Sequence, residues 1–90
     1  MLHPSTTTQF DKDKLKARKQ GRDLARLTEV MENLIKEQSL EAKHCDHPLK
    51  GAWKGFRDCH VMSDWVLIYK VDKEKKKIVF VRVGTHSELF

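Results

Sequence analysis

Residues 57–83, RDCHVMSDWVLIYKVDKEKKKIVFVRV, decide the fold class, because three strand-like runs follow one another here with very short connections. Residues 53–61, WKGFRDCHV, alternate as a half-buried strand does. Residues 65–71, WVLIYKV, are almost continuously apolar, as in a central strand, and residues 77–83, KIVFVRV, alternate again. The linking segments MSD and DKEKK have the length that joins antiparallel strands. The sequence therefore predicts an antiparallel β-meander.

The residues before the meander predict one strand and two helices. Residues 5–10, STTTQF, are rich in β-branched side chains and predict a first strand at the edge of the sheet. Residues 11–20, DKDKLKARKQ, predict a basic helix that ends at Gly21. Asp23 is expected to cap a second helix, in which apolar residues recur at helical spacing at Leu24, Leu27, Met31, Leu34 and Ile35.

These elements predict a single α+β domain over residues 1–90: an N-terminal strand, two helices and then a meander of three to four antiparallel strands. The apolar stripe of the second helix must be buried, and the simplest arrangement packs the helices on one face of the sheet. The opposite face is then left for function.

Composition restricts the partners and the compartment. The chain has 90 residues and a net charge of +5, which fits a polyanionic partner such as RNA, DNA, an anionic membrane surface or an acidic protein. A merely soluble cationic surface would have the same charge. No apolar run approaches the roughly 20 residues of a membrane span, and MLHPSTTTQF lacks the regions of a signal peptide. We expect a cytoplasmic protein in which Cys45 and Cys59 are free thiols.

Five polar residues of the second half are expected to meet at one end of the sheet. The end of one meander strand and the beginning of the next are neighbours, so His60 should lie close to Asp64. The last strand brings its own end to the same edge, together with Arg82 and His86. His47 lies on a third segment, before Pro48. Three imidazoles, one carboxylate and one guanidinium can therefore converge without a long loop.

Such a set of side chains suits the cleavage of an RNA phosphodiester. Imidazoles can accept the proton of the attacking 2′-hydroxyl and supply one to the leaving 5′-oxygen near neutral pH. A guanidinium can hold two phosphoryl oxygens. Trp65 and Phe90 could stack on an unpaired base. Taken singly, each histidine is more often a surface or hydrogen-bonded core residue.

A zinc site is the competing interpretation, because HCDH at 44–47 and CH at 59–60 supply two thiolates and three imidazoles. Neither cysteine belongs to a Cys-x-x-Cys pair, and Cys59 and His60 are adjacent in a strand, so they should point to opposite faces. We therefore expect no metal and no cofactor.

The first helix has a basic face. Lys12, Lys16 and Lys19 recur at helical spacing, with Arg18 beside them. Like charges at this spacing are mildly destabilising, which favours phosphate binding as their role. An ordinary solvated face is the alternative interpretation.

The joint pattern D-H-x-L-x-G-x-W-K, R-D-x-H, D-W-x-L-x-Y and R-x-G-[ST]-H-x-x-L-F resembles the YafQ branch of the RelE superfamily of bacterial toxins. The similarity is strong over residues 45–90 and colinear over the helices. The resemblance implies a RelE-like fold and a messenger-RNA endonuclease that cuts in the A site of the 70S ribosome. It also implies an acidic antitoxin partner, through which operator DNA would be bound. The family's functional positions carry over onto His47, His60, Asp64, Trp65, Arg82, His86 and Phe90.

We hypothesise the following roles for these residues. His86 is the general acid, and either Asp64 or His47 is the base. His60 orients a partner or holds phosphate, Arg82 stabilises phosphoryl charge, and Trp65 and Phe90 position a base. The alternative function is that of a basic module that binds RNA or antitoxin without cutting.

Overall fold

The computed structural model describes residues 1–90 and contains five strands and three helices. In chain order they are β1 (His3–Thr6), α1 (Thr8–Lys19), α2 (Leu24–Ile35), β2 (His47–Pro48), β3 (Arg57–Met62), β4 (Trp65–Asp72), β5 (Lys77–Thr85) and α3 (His86–Leu89). The strands form one sheet in the order β1-β5-β4-β3-β2. β1 pairs with β5 in parallel and the other pairs are antiparallel. The α+β class and the meander are confirmed, with β4 at the centre of a mixed sheet.

The prediction for the first strand was wrong in its position. β1 lies at the edge of the sheet, as expected, but it ends at Thr6. Thr7 caps α1, since its hydroxyl accepts the Phe10 amide at 2.9 Å and donates to the Val81 carbonyl at 2.7 Å. The capping bond outweighs the β-propensity of the threonines, so residues 8–10 form the first turn of the helix.

The second helix begins where the sequence predicted. The Asp23 carboxylate accepts the Arg26 amide at 3.2 Å and caps α2. Gly21 has a φ of +75°, a left-handed conformation that lets the chain reverse between the two helices. Both helices pack on one face of the sheet and bury the main core, whose largest fully buried members are Phe10, Leu27, Trp65, Leu67, Tyr69, Ile78 and Phe80.

The opposite face of the sheet is partly covered rather than free. Val66 and Ile68 are fully buried there beneath Leu89 of α3. Trp53 and Phe56 pack against them from the segment before β3. That segment was predicted as strand, but it contains a short 3₁₀ turn and Gly55 at a φ of +94°, so β3 begins only at Arg57. No helix has the length and apolar character needed to cross a membrane.

Candidate active site

Three imidazoles gather beside this second apolar cluster, as the sequence predicted. His60 lies in β3, and His86 is the first residue of α3. The centroids of these two rings are 5.2 Å apart. His47 lies in β2, where it pairs with Asp58 of β3. One end of the sheet thus carries all three histidines on three separate elements.

Asp64 binds His86 directly. The pairing of Trp65 with Thr85 brings the beginning of β4 beside the end of β5. The Asp64 carboxylate accepts the His86 amide at 3.3 Å and contacts Nδ1 of the same ring. These bonds, that of the ring first, hold the pKa of Asp64 below its ordinary value. Because Nδ1 is occupied, Nε2 is the nitrogen of His86 that remains for chemistry.

His47 has contacts at both ring nitrogens. Nδ1 lies 2.6 Å from the Cys45 carbonyl oxygen, and Nε2 lies 3.1 Å from Oδ1 of Asp58. Asp58 is only 2% exposed. The sequence did not single out Asp58, although its position two residues before His60 in β3 predicts that the two share a face.

A polar network fixes the loop that carries His47. The Asp46 carboxylate accepts the Tyr69 hydroxyl at 2.5 Å and Arg57 Nε at 3.3 Å. Burial, together with the carboxylate, raises the pKa of the Tyr69 phenol. Cys45 has a φ of +48°, a left-handed conformation that is uncommon for a residue with a side chain. The bonds of Asp46 and the turn at Cys45 therefore fix the backbone immediately before His47.

Arg82 does not extend freely into the site. Its Nε and one terminal nitrogen bind the two oxygens of Asp13 at 3.1 and 3.0 Å, and the Val83 amide donates to the same carboxylate at 3.2 Å. Burial opposes ionisation of Asp13, but the bonds from Arg82, Gln9 and Val83 outweigh it and lower the pKa of the carboxyl. The bond to Asp13 raises the pKa of Arg82. The N–H groups of Arg82 that were predicted to hold two phosphoryl oxygens are thus bound to the Asp13 carboxylate.

Trp65 is a core residue, which contradicts the prediction that it stacks on a base. Its side chain is 1% exposed and packs with the helices, and the Arg22 guanidinium lies 5.5 Å from the ring centroid. Strand alternation explains the placement, because Trp65 shares a face with Leu67 and Tyr69.

The residues after β5 form a docked helical turn. Thr85 and Glu88 make a reciprocal capping box, and Leu89 is buried. Phe90 is 54% exposed, with its ring centroid 6.0 Å from that of His86. Phe90 is therefore available to a base beside the histidines.

The basic residues of α1 lie next to this turn. Lys12, Lys16, Arg18 and Lys19 are all exposed. Lys16 contacts Glu88 at 2.5 Å, and this contact lowers the pKa of Glu88 to about 2. The basic row thus continues up to the helix that carries His86.

The metal alternative gains no support from the geometry. No group of three or more histidine, cysteine, aspartate or glutamate side chains is arranged to hold an ion. Cys59 is buried in the main core, on the opposite face from His60 as predicted, and burial raises the pKa of its thiol. Cys45 is exposed.

This helix-covered sheet, with three histidines and a helical turn at one end, is also the fold of bacterial toxins of known structure. The chain belongs to the YafQ family, because the family model described as a bacterial toxin of type II toxin-antitoxin systems, YafQ, matches residues 2–90.

Individual relatives cover almost the same length. The mRNA interferase toxin YafQ of Escherichia coli K12 is 46% identical over 83 residues, 91% of this chain and 88% of that protein. A metal-bound toxin from Helicobacter pylori is 47% identical, with a TM-score of 0.94 and complete coverage of both chains. The toxin in the E. coli DinJ-YafQ complex is 42% identical, with a TM-score of 0.91, covering 100% of this chain and 99% of that one. An mRNA interferase is an endoribonuclease, so the predicted family and enzyme class are confirmed.

Proposed function

We propose that this toxin is a ribosome-dependent mRNA endoribonuclease that cuts in the A site by acid–base chemistry and is held inactive by an acidic antitoxin. The observation that carries the proposal is the edge-on pair of rings of His60 and His86, 5.2 Å apart, with Asp64 bound to Nδ1 of His86. Cleavage needs a base and an acid at the two reacting oxygens, and these rings supply one each.

His86 is the general acid. Asp64 binds Nδ1 and stabilises the imidazolium, so that Nε2 carries the proton for the leaving 5′-oxygen. Asp64 acts through His86 and is a positioning residue. This bond argues against Asp64 as the base, one of the two bases that the sequence predicts.

His60 is the general base. Its ring makes no hydrogen bond with any other group of the protein, and His44 contacts the backbone carbonyl of His60, not its ring. A neutral imidazole in that state can accept the proton of the 2′-hydroxyl as the oxygen attacks phosphorus. The products are a 2′,3′-cyclic phosphate or 3′-phosphate and a 5′-hydroxyl. His47 is the other base that the sequence predicts. Both of its ring nitrogens are in contact with protein oxygens, so neither is as free as the ring of His60.

The remaining site residues bind rather than exchange protons. Arg82 keeps its grip on Asp13 and uses its free N–H groups to attract phosphoryl charge. Phe90 stacks on a base next to the scissile bond. The exposed row Lys12, Lys16, Arg18 and Lys19 binds RNA phosphates, so affinity falls steeply with added salt.

The partner of the inactive state is an acidic antitoxin. A domain of net charge +5 attracts an anionic segment that can fold along its surface. The E. coli relative was crystallised with DinJ. Operator DNA is bound through the antitoxin.

The test is 5′-end mapping after incubation of the protein with programmed ribosomes and, separately, with naked RNA. We expect cuts only on ribosomes, unchanged by a chelator that removes transition metals and leaves Mg²⁺ in place, and reduced about 10²-fold or more by His86→Gln and by His60→Gln. His3→Gln, in exposed β1 at the far edge of the sheet, is the matched control.

Three results would count against the proposal. Equal cutting of naked RNA removes the ribosome requirement, and loss of activity in the transition-metal chelator restores the metal alternative. Growth arrest by the wild type and both histidine variants alike favours the non-catalytic binding module.

A further inference from the structure

Arg22 is a cation that the site described above does not use. It lies in the turn between α1 and α2 and is half-buried, and its backbone amide donates to the Ala17 carbonyl at 3.0 Å. Its guanidinium lies 5.5 Å from the ring centroid of Trp65, and its Nε donates to the side-chain oxygen of Gln20 at 3.3 Å. Neutral groups therefore hold Arg22 in place.

The other two half-buried arginines each have a carboxylate partner. Arg57 binds Asp46 at 3.3 Å. Arg82 binds Asp13 at 3.0 Å. No carboxylate lies within ion-pair distance of Arg22, and its two terminal nitrogens make no hydrogen bond with the protein. Because a partly desolvated cation is stabilised by an ion pair, an anion from outside the chain is the missing partner.

The charges around Arg22 are unbalanced. It borders a cleft of about 240 Å³ between α1 and the end of β5, which is ample for a phosphate group. Asp13 lines the cleft and is bound by Arg82. Glu88 lines it too and is bound by Lys16. Of the three cations and two carboxylates in this cleft, the unmatched charge is that of Arg22.

We propose that this cleft binds a phosphate group of RNA, with Arg22 as the principal ligand. A guanidinium can donate two parallel hydrogen bonds to phosphoryl oxygens, and partial burial strengthens such a contact. The cleft is lined by Trp65 and Val83 of the main core, on the helix-covered face of the sheet. The histidines lie beside the second apolar cluster, on the opposite face, so the bound phosphate is not the scissile one.

The inference rests on the proposed function, in which RNA is the substrate. Two sources have the same chemistry: a neighbouring phosphate of the mRNA, and a phosphate of the ribosomal RNA around the A site. In both cases Arg22 contributes to binding and takes no part in proton transfer.

The first test compares Arg22→Gln with Arg26→Gln in the full chain. Arg26 is the matched control, because it is exposed and borders a different groove, beside Lys43 and His44. The probe is a short single-stranded 2′-O-methyl RNA, which lacks the attacking hydroxyl and is not cut. Fluorescence anisotropy measures its Kd over a range of salt concentrations.

We expect Arg22→Gln to weaken binding about tenfold at low salt. The slope of log K against log[salt] should become shallower by about 0.7, the value for one phosphate contact with a single strand. Arg22→Lys should keep the wild-type slope, because it keeps the charge. Arg26→Gln should change affinity and slope much less, and equal losses in Arg22→Gln and Arg26→Gln would overturn the inference.

The indole N–H signal of Trp65 in the wild type reports on the cleft without any variant, because Arg22 lies over this ring. The same RNA should shift this NMR signal at low salt and leave it in place at high salt. A signal that does not move at low salt overturns the inference, even if Arg22→Gln fails to fold.

Ribosome binding distinguishes the two sources of phosphate. Weaker binding of Arg22→Gln to ribosomes with an A-site codon, but not to ribosomes without mRNA, assigns the phosphate to the mRNA. Equal weakening on both assigns it to ribosomal RNA, and unchanged affinity for both overturns the inference. A protein that binds the 2′-O-methyl RNA as expected but cuts no RNA on ribosomes refutes the proposed function and leaves the phosphate site standing.

Discussion

Asp13→Asn should destabilise the fold severely, because Asp13 joins α1 to β5. Asp13 is 9% exposed and accepts two bonds from Arg82 and one from the Val83 amide. The neutral amide keeps one acceptor oxygen, but its NH₂ group then faces donors. Removing one partner of a buried ion pair costs about 3–5 kcal/mol. Because Arg82 remains partly exposed and is hydrated when freed, we expect the lower end, about 3 kcal/mol.

Thermal unfolding followed by circular dichroism measures this loss. A domain of this size loses about 5 °C in Tm per kcal/mol, so the expected decrease is about 15 °C. Asp11→Asn is the matched control, since Asp11 is exposed in the first turn of the same helix and its loss should cost less than about 1 kcal/mol. Equal Tm decreases for the two variants would refute the claim that Asp13 anchors Arg82.

The pH dependence gives an independent check of the same pair. The pKa of Asp13 is lowered in the folded state from its ordinary value of 3.8. Its contribution is therefore fully present above pH 3.8 and is lost as the pH falls through the lower folded-state pKa. The stability difference between wild type and Asp13→Asn should shrink in that acid range, and a difference that stayed constant would contradict the assignment.

Four further variants separate stability from activity. Asp64→Asn should lower kcat about 10²-fold with little change in Tm, because the carboxylate is exposed and acts through His86; wild-type kcat would contradict that role. Phe90→Ala should reduce cleavage with a change of less than about 0.5 kcal/mol in stability, whereas Leu89→Ala should cost about 2 kcal/mol, and denaturant unfolding of both variants checks the contrast. Tyr69→Phe removes one hydrogen bond to Asp46, so we expect a loss of about 1 kcal/mol and a lower kcat through the loosened His47 loop; unchanged kcat would show that the network serves stability alone.

The sequence predicted the elements whose signal is local and periodic. β4 was recognisable as central because its apolar run is continuous, and α2 was recognisable from Asp23 and the helical spacing that follows it. β2 has two residues, too few for any period to show. Thr7 was assigned to a strand on propensity, although its capping bonds depend on Phe10 and on Val81 across the fold.

The site shows the same division between local and long-range information. Alternation correctly separated Cys59 from His60, and the same rule applied to Trp65 would have placed it in the core. Asp58 carried a usable signal in its spacing from His60. The bond between Asp13 and Arg82 joins residues 69 positions apart, and no local pattern indicates which carboxylate will meet which guanidinium.

The parallel pairing of β1 with β5 has a consequence for how the toxin is made. β5 lies between β1 and β4 in the sheet. Its Arg82 binds Asp13 of α1, and its last residue is followed directly by His86. A ribosome that has completed residues 1–76 holds a chain whose first strand has no partner and which still lacks His86, the proposed general acid. Long-range contacts of this kind also form late in folding. Each new molecule can therefore complete its sheet and its candidate active site only after the segment beginning at Lys77 has been synthesised.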